Sequence, residues 1–100
     1  MLALNSKQPQ YIINKQVVVK KIGDDFVAFN GLSSETILLN PLAYEILICL
    51  SVAPSYSDGL TKKVSVQKSE VNRADLDGFV DFTLREFVSR GFVFESETPV

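Results

Sequence analysis

The residues of this chain that could do chemistry are few, and none of them forms a recognisable catalytic or metal-binding set. Two carboxylate pairs, Asp24-Asp25 and Asp75-x-Asp77, come without a third ligand or a base. The first pair suits a turn, and the second suits the opening turns of a helix, where negative charge is favourable. The chain also lacks histidine, the commonest general base and metal ligand. We therefore predict a protein that is not an enzyme and uses no metal or cofactor.

Two other features carry reactive or charged groups. Cys49 is the only cysteine, so no internal disulfide can form, and its apolar helical setting favours an inert buried thiol. Four basic residues, Lys62, Lys63, Lys68 and Arg73, fall close together and could contact an acidic peptide. Such clusters more often form a solvated face, so the sequence leaves their role open.

The composition indicates a small globular protein. One hundred residues with 46% hydrophobic side chains predict a single domain over residues 1–100, with an ordered core at about residues 11–95. The net charge of -2 does not favour nucleic acid or anionic membranes. No apolar run approaches the roughly 20 residues of a membrane span, and the N-terminus does not resemble a signal peptide. We therefore expect a cytoplasmic binding module.

Three short β-prone stretches follow a loose lead-in over residues 1–10. They cover residues 16–22, 26–29 and 36–39, and turn-forming residues separate them. Strands joined by tight turns predict an antiparallel meander, whose third strand is an edge unless another segment covers it. On that strand, Ile37 and Leu39 face one side of the sheet and Thr36 and Leu38 the other.

Helical signals occupy most of the remaining chain. Asn40 is a good N-cap and Pro41 suits the first turn of a buried helix over about residues 42–51. A second, shorter helix, capped by Ser55 or Ser57, is expected to run through Leu60 and Val64. Residues 66–71 read as a loop or a short strand.

The third helix is predicted to be the longest, over about residues 73–90, with Gly91 as its C-cap. Its core stripe consists of Leu76, Phe79, Val80, Thr83, Leu84 and Phe87. Residues 92–94 form a final short strand or an extended tail, and residues 95–100 are expected to fray. The predicted fold class is α+β, a winged-helix-like domain in which a three-stranded antiparallel meander precedes three helices.

This order of elements resembles the PqqD-like family, also known as RiPP recognition elements, over about residues 17–95. The resemblance is carried by Asp24-Asp25-Phe26-Val27, by Ser34-Glu35-Thr36, by Leu39-Asn40-Pro41-Leu42-Ala43 with Ile46-Leu47, by Leu60, and by the ending LREFVSRGF from Leu84 to Phe92. The run from Ser34 to Asn40 is most similar to the branch found in HPr-related gene systems. Ile37 stands where that branch often has histidine.

The resemblance implies a non-catalytic adaptor or chaperone that binds peptides. Members of the family hold the leader segment of a precursor peptide and present it to a modifying enzyme in peptide natural-product biosynthesis. The leader is added as a strand along the third strand and lies against the third helix.

The residues themselves support such a site through an exposed strand edge and an aromatic side chain beside a glycine. Phe82 lies off the core stripe of helix three, and Gly78 leaves a shelf without a side chain one turn earlier. The candidate peptide-binding residues are Thr36, Ile37, Leu38, Leu39, Gly78, Phe82, Arg85, Glu86 and Ser89. Two alternatives stay open: N-terminal residues such as Leu2 and Leu4, or a dimer partner, could cover the strand, and Phe82 could simply widen the core.

Two other functions compete with peptide binding. A winged-helix domain could bind DNA through helix three, but that helix carries Asp75, Asp77, Asp81 and Glu86 against three arginines, and a net negative helix repels phosphate. A dimerising structural subunit could use the same strand edge across a two-fold axis. The expected partners are a precursor peptide and its modifying enzyme.

Overall fold

The structure is a computed structural model, and it describes residues 9–65 and 73–96. This part of the chain contains three helices and six strands arranged in two antiparallel sheets. In chain order the elements are β1 (Gln10–Ile13), β2 (Val17–Ile22), β3 (Asp25–Asn30), β4 (Glu35–Leu39), α1 (Pro41–Val52), β5 (Ser55–Tyr56), α2 (Ser57–Ser65), α3 (Arg73–Ser89) and β6 (Val93–Ser96). The predicted α+β class is confirmed.

The predicted meander is the sheet with strand order β2-β3-β4. Ala28 is paired with Ile37, and Val27 with Leu38. Because side chains alternate along a strand, Ile37 and Leu39 pack toward the core while Leu38 is 75% exposed. The expected division of β4 into two faces is therefore confirmed, and the face with Ile37 and Leu39 is the buried one.

The junction between β4 and α1 follows the local signals in the sequence. The side-chain oxygen of Asn40 accepts a hydrogen bond from the backbone N–H of Ala43 at 2.8 Å, and Pro41 is the first helical residue. This cap satisfies one of the free donors at the helix start. It also fixes where β4 ends and the chain turns into the core.

The second sheet, with order β5-β1-β6, was not predicted. Gln10 belongs to β1 rather than to a loose lead-in, and Ser55 lies in β5 rather than in a helix cap, so α2 begins at Ser57. The tail forms the short strand β6 and reaches Ser96, so the expectation that the chain frays from Glu95 is wrong for these two residues. All three corrections come from β1, which pairs with β6 over its whole length and with β5 at Gln10 and Tyr11.

Two buried asparagines connect the two sheets to the end of α3. The side-chain amides of Asn14 and Asn30 both donate to the carbonyl oxygen of Gly91, at 3.0 and 3.2 Å. Their side-chain oxygens accept from the backbone N–H groups of Gln16 and Leu32, at 2.9 Å in each case. Since both side chains are almost fully buried, these bonds are needed to offset the cost of removing the amides from water.

The end of α3 is a glycine C-cap, as predicted. Gly91 has φ +77°, its N–H donates to the carbonyl of Val88, and the N–H of Phe92 donates to that of Phe87. This is the hydrogen-bond pattern of a Schellman motif. One member of the predicted core stripe is misplaced, because Phe79 is 45% exposed and lies at an open groove.

The core lies between the two sheets and the helices. Its largest fully buried side chains include Phe92, Ile46, Leu47, Leu60 and Leu84, which come from all three helices and from the segment before β6. The predicted loop at residues 66–71 lies outside the described residues. In the described ranges, no helix has the length and apolar character needed to cross a membrane.

Candidate functional site

The outer edge of β4 differs from the other sheet edges. Natural edges are commonly protected by lysine, proline, charge or shortness. The edge strand β2 carries exposed Lys20 and Lys21, β5 has two residues, and β6 carries exposed Glu95. β4 has the sequence ETILL, without lysine or proline, and its one charged residue, Glu35, lies at its first position and is paired with Arg90. Within residues 9–65 and 73–96 no strand pairs with its outer edge. Its backbone can therefore accept another strand.

A groove between β4 and α3, here named the strand groove, adjoins this edge. It has a volume of about 230 Å³. Ile37, Leu38 and Leu39 line one side, and α3 contributes Phe82 and Glu86 among others. The helix runs antiparallel to β4, because Arg90 contacts the start of the strand, whereas Phe82 lines both grooves together with Asn40, the residue after the strand.

One end of the strand groove is charged. The Arg90 guanidinium forms an ion pair with the Glu35 carboxylate and lies 3.9 Å from that of Glu86, one turn earlier on α3. These side chains are 35–52% exposed, so solvent screening keeps the contribution of each pair to folding small. Their structural effect is to connect the first residue of β4 to the end of α3.

A larger groove lies on the other side of the Phe82 side chain, between the start of α1 and the first half of α3. This helix groove has a volume of about 660 Å³ and an almost wholly apolar lining. Pro41 and Leu42 form the α1 side, and Gly78, Phe79 and Phe82 lie on the α3 side. A Cβ atom added at Gly78 would meet nothing within 4 Å, so the predicted glycine shelf faces open space.

The structure brings together most of the predicted site residues. Ile37, Leu38, Leu39, Phe82 and Glu86 line the strand groove, and Gly78 lines the helix groove with Phe82. Phe82 is 61% exposed, so the alternative that it widens the core is wrong.

Three predicted site residues line neither groove, although one of them, Thr36, lies in β4 itself. Thr36, Arg85 and Ser89 are exposed and line neither groove. Arg85 lies near Tyr11 of β1, where its charge weakly opposes the rise in the Tyr11 pKa that burial causes. Helical spacing placed Arg85 and Ser89 near Phe82, but the groove lies on the opposite flank of that side chain.

Several groove residues were not predicted as part of the site, and Arg90 and Phe79 are the most consequential of them. Arg90 was interpreted only as a charge suited to the helix end, and Phe79 was assigned to the core. The signal for Phe79 was its position one residue after Gly78, which places it beside the same shelf.

The described titratable groups show no catalytic arrangement. Burial, followed by the charge of Glu95, raises the pKa of Tyr11, whose hydroxyl donates to Glu95 at 3.5 Å. Burial also raises the pKa of the Cys49 thiol, so less of the reactive thiolate is present at neutral pH. Among the described residues, no three histidine, cysteine or acidic side chains form a group that could hold a metal.

The remaining candidates from the sequence are placed in part. Asp24 lies in the turn between β2 and β3, and Asp75 lies in the first turn of α3, as expected. Lys62 and Lys63 lie in the last turn of α2. Lys68 lies outside the described residues, as do Leu2 and Leu4, so the basic cluster and the covering of β4 by the N-terminus stay predictions.

No protein-family model and no curated protein matches this chain. Two solved structures share its fold. TbiB1, in complex with the TbiA(beta) leader peptide, has a TM-score of 0.71 and 17% sequence identity, with 83% of this chain and 94% of that chain covered. A lasso peptide synthetase B1, complexed with its leader peptide, has a TM-score of 0.68 and 18% identity, with 84% and 96% covered. At such identities the likeness establishes the fold.

Proposed function

We propose that this protein is a non-catalytic adaptor that binds a segment of a precursor peptide and presents it to a modifying enzyme. The peptide is added as a strand to the outer edge of β4, and its side chains on one face enter the strand groove against α3. In this proposal, residues 1–100 act as a single peptide-binding domain of the PqqD-like type.

The observation that carries the proposal is the outer edge of β4, unpaired within the described residues, beside the strand groove, whose lining is apolar at Ile37, Leu39 and Phe82 and charged at Glu86 and Arg90. Strand addition satisfies the free N–H and C=O groups of an edge, and side-chain pockets at alternate positions supply specificity. The outer edge of β4 supplies the free backbone groups. The strand groove supplies the side-chain contacts, since Ile37 and Leu39 line it from β4 and the largely exposed Phe82 lines it from α3. The five residues of β4 are enough for a short paired segment.

The two structural neighbours support the same function. Both are described as complexes with a leader peptide, and both cover nearly all of their own chain in the comparison. We assign a leader peptide as the ligand of this chain because the fold and the open edge are present together. Ile37, in place of the histidine of the HPr-related branch, makes the centre of the site apolar.

An NMR titration tests the proposal. The probes are the short peptides encoded by genes beside this one, each added separately to ¹⁵N-labelled protein. We expect one of them to shift the backbone amide signals of Glu35–Leu39 and of residues 82–90. A version of that peptide with N-methyl groups on alternate residues should lose binding, because it cannot pair with β4.

Two results would refute the proposal. A peptide that binds tightly but shifts only signals remote from β4 would place the site elsewhere. Equal binding of the N-methylated and unmodified peptides would exclude strand addition.

A further inference from the structure

The two grooves form one continuous trough along α3. They share Asn40 and Phe82. Five of their lining residues follow each other at spacings of three or four along α3 and the residue just past its end: Asp75, Phe79, Phe82, Glu86 and Arg90. Fifteen residues of helix correspond to about 22 Å. An extended peptide covers that length with about seven residues, whereas β4 provides only five for pairing.

The trough is chemically different at its two ends. Beside the start of β4 it carries Glu35, Glu86 and Arg90. Beyond the end of β4 it widens into the helix groove, where Leu42, Leu76 and Phe79 supply apolar surface. A ligand that spans the trough therefore meets charge at one end and a large apolar space at the other.

We infer that the peptide continues past the end of β4 and inserts at least one bulky apolar side chain into the helix groove over Gly78. This inference rests on the proposed function and adds to it the chemical class of the peptide. The occupant is a segment whose bulky apolar residue lies about two positions beyond the part paired with β4. The volume of about 660 Å³ lies within the usual range for ligand pockets and is ample for such a side chain.

Gly78 is the residue that makes this assignment testable. Glycine in a helix interior makes the helix less stable than alanine or leucine would. A side chain at position 78 would point into open space. Replacement by leucine should therefore preserve the helix and place a bulky side chain over the part of the groove that lies above residue 78. Gly59 provides a matched control, because it also lies in a helix, a Cβ atom there meets nothing within 4 Å, and it lines neither groove.

The experiment compares Gly78→Leu with Gly59→Leu. The probe is a fluorescein-labelled dodecapeptide selected from a random phage-displayed library on the wild-type protein, and the readouts are its Kd and the amide shifts of β4. We expect Gly78→Leu to weaken binding at least tenfold and Gly59→Leu to change it less than twofold. Replacing the bulky apolar residue of the probe by alanine should weaken binding to the wild type tenfold and to Gly78→Leu hardly at all.

The possible failures are distinguishable. If the probe shifts the amides of β4 but binds Gly78→Leu and the wild type equally, the helix groove is not occupied and this inference is wrong, while strand addition stands. If selected probes bind without shifting β4, the proposed function itself fails. Circular dichroism of both variants confirms that each retains its helices before binding is compared.

Discussion

Replacing Phe82 by alanine should weaken peptide binding far more than it destabilises the fold. The side chain is 61% exposed, so about 120 Å² of its surface is still available for contact with a ligand. At about 25 cal/mol per Å², and allowing for the methyl group that alanine retains, its burial contributes about 2 kcal/mol to binding. This corresponds to a roughly thirtyfold increase in Kd.

The cost to folding should be smaller, because only the remaining part of the ring contacts the protein. We expect a loss of about 1 kcal/mol, against about 3–5 kcal/mol for alanine at Phe87, which is buried. For a domain of this size, 1 kcal/mol lowers Tm by about 4–8 °C. Phe94→Ala is the matched control for binding, since that ring is half-exposed on β6, away from both grooves.

Fluorescence anisotropy with the labelled peptide that gives the largest β4 shifts measures the affinity, and thermal unfolding measures the stability. Binding of Phe82→Ala within twofold of the wild type, with the β4 shifts unchanged, would show that the ring does not contact the peptide. Equally strong weakening by Phe94→Ala would show that the effect does not depend on the position of the ring.

Four further predictions concern the scaffold and the Cys49 thiol. Asn30→Asp replaces an amide donor with a buried carboxylate facing the carbonyl of Gly91, and should cost about 3 kcal/mol in urea unfolding; an unchanged midpoint would contradict the role given to this bond. Gly91→Ala should cost about 1–2 kcal/mol of stability, and the cost comes from the positive φ alone. The new Cβ atom would not clash, since it would lie 3.6 Å from the Asn30 side chain. Gly59→Ala should instead stabilise α2 by up to about 1 kcal/mol. The raised pKa of Cys49 means less thiolate at any pH below it, so iodoacetamide should alkylate the native protein at pH 8.5 more slowly than the guanidinium-unfolded chain; equal rates would show that the thiol is not protected.

The parts of the fold that depend on neighbouring residues were predictable from the sequence. Asn40 and Pro41 mark the start of α1 by local hydrogen bonding and a fixed φ, and Gly91 marks the end of α3 because it adopts a positive φ. Alternation along β4 correctly separated its two faces. In each case the cause lies within a few residues of the signal.

The second sheet could not be predicted in this way. β1, β5 and β6 contain two to four residues each, and their pairing joins segments from opposite ends of the described chain. The buried hydrogen bonds of Asn14 and Asn30 were also not predictable, because their shared acceptor, Gly91, is more than sixty residues away. Nothing local distinguishes such asparagines from ordinary turn residues.

The candidate site was predictable in its centre and not at its borders. The pattern of strands and turns predicted β4 as an edge strand, and helical spacing placed Gly78 one turn before Phe82. Helical periodicity alone could not decide which flank of Phe82 faces the strand, so Arg85 was included and Arg90 was not. It also assigned Phe79 to the core, because periodicity does not reveal that the opposing surface is open.

The pairing of β1 with β6 has a consequence for how the chain reaches its native state. Tyr11 and Glu95 are partners across 84 positions, whereas β2, β3 and β4 pair through short turns. Long loops are entropically costly to close before other contacts form, so we expect the meander to form early and β6 to dock last. Val93→Ala, which truncates a fully buried side chain in β6, should then accelerate unfolding and leave the refolding rate almost unchanged in stopped-flow measurements. A refolding rate that fell in proportion to the lost stability would place β6 in the folding nucleus instead.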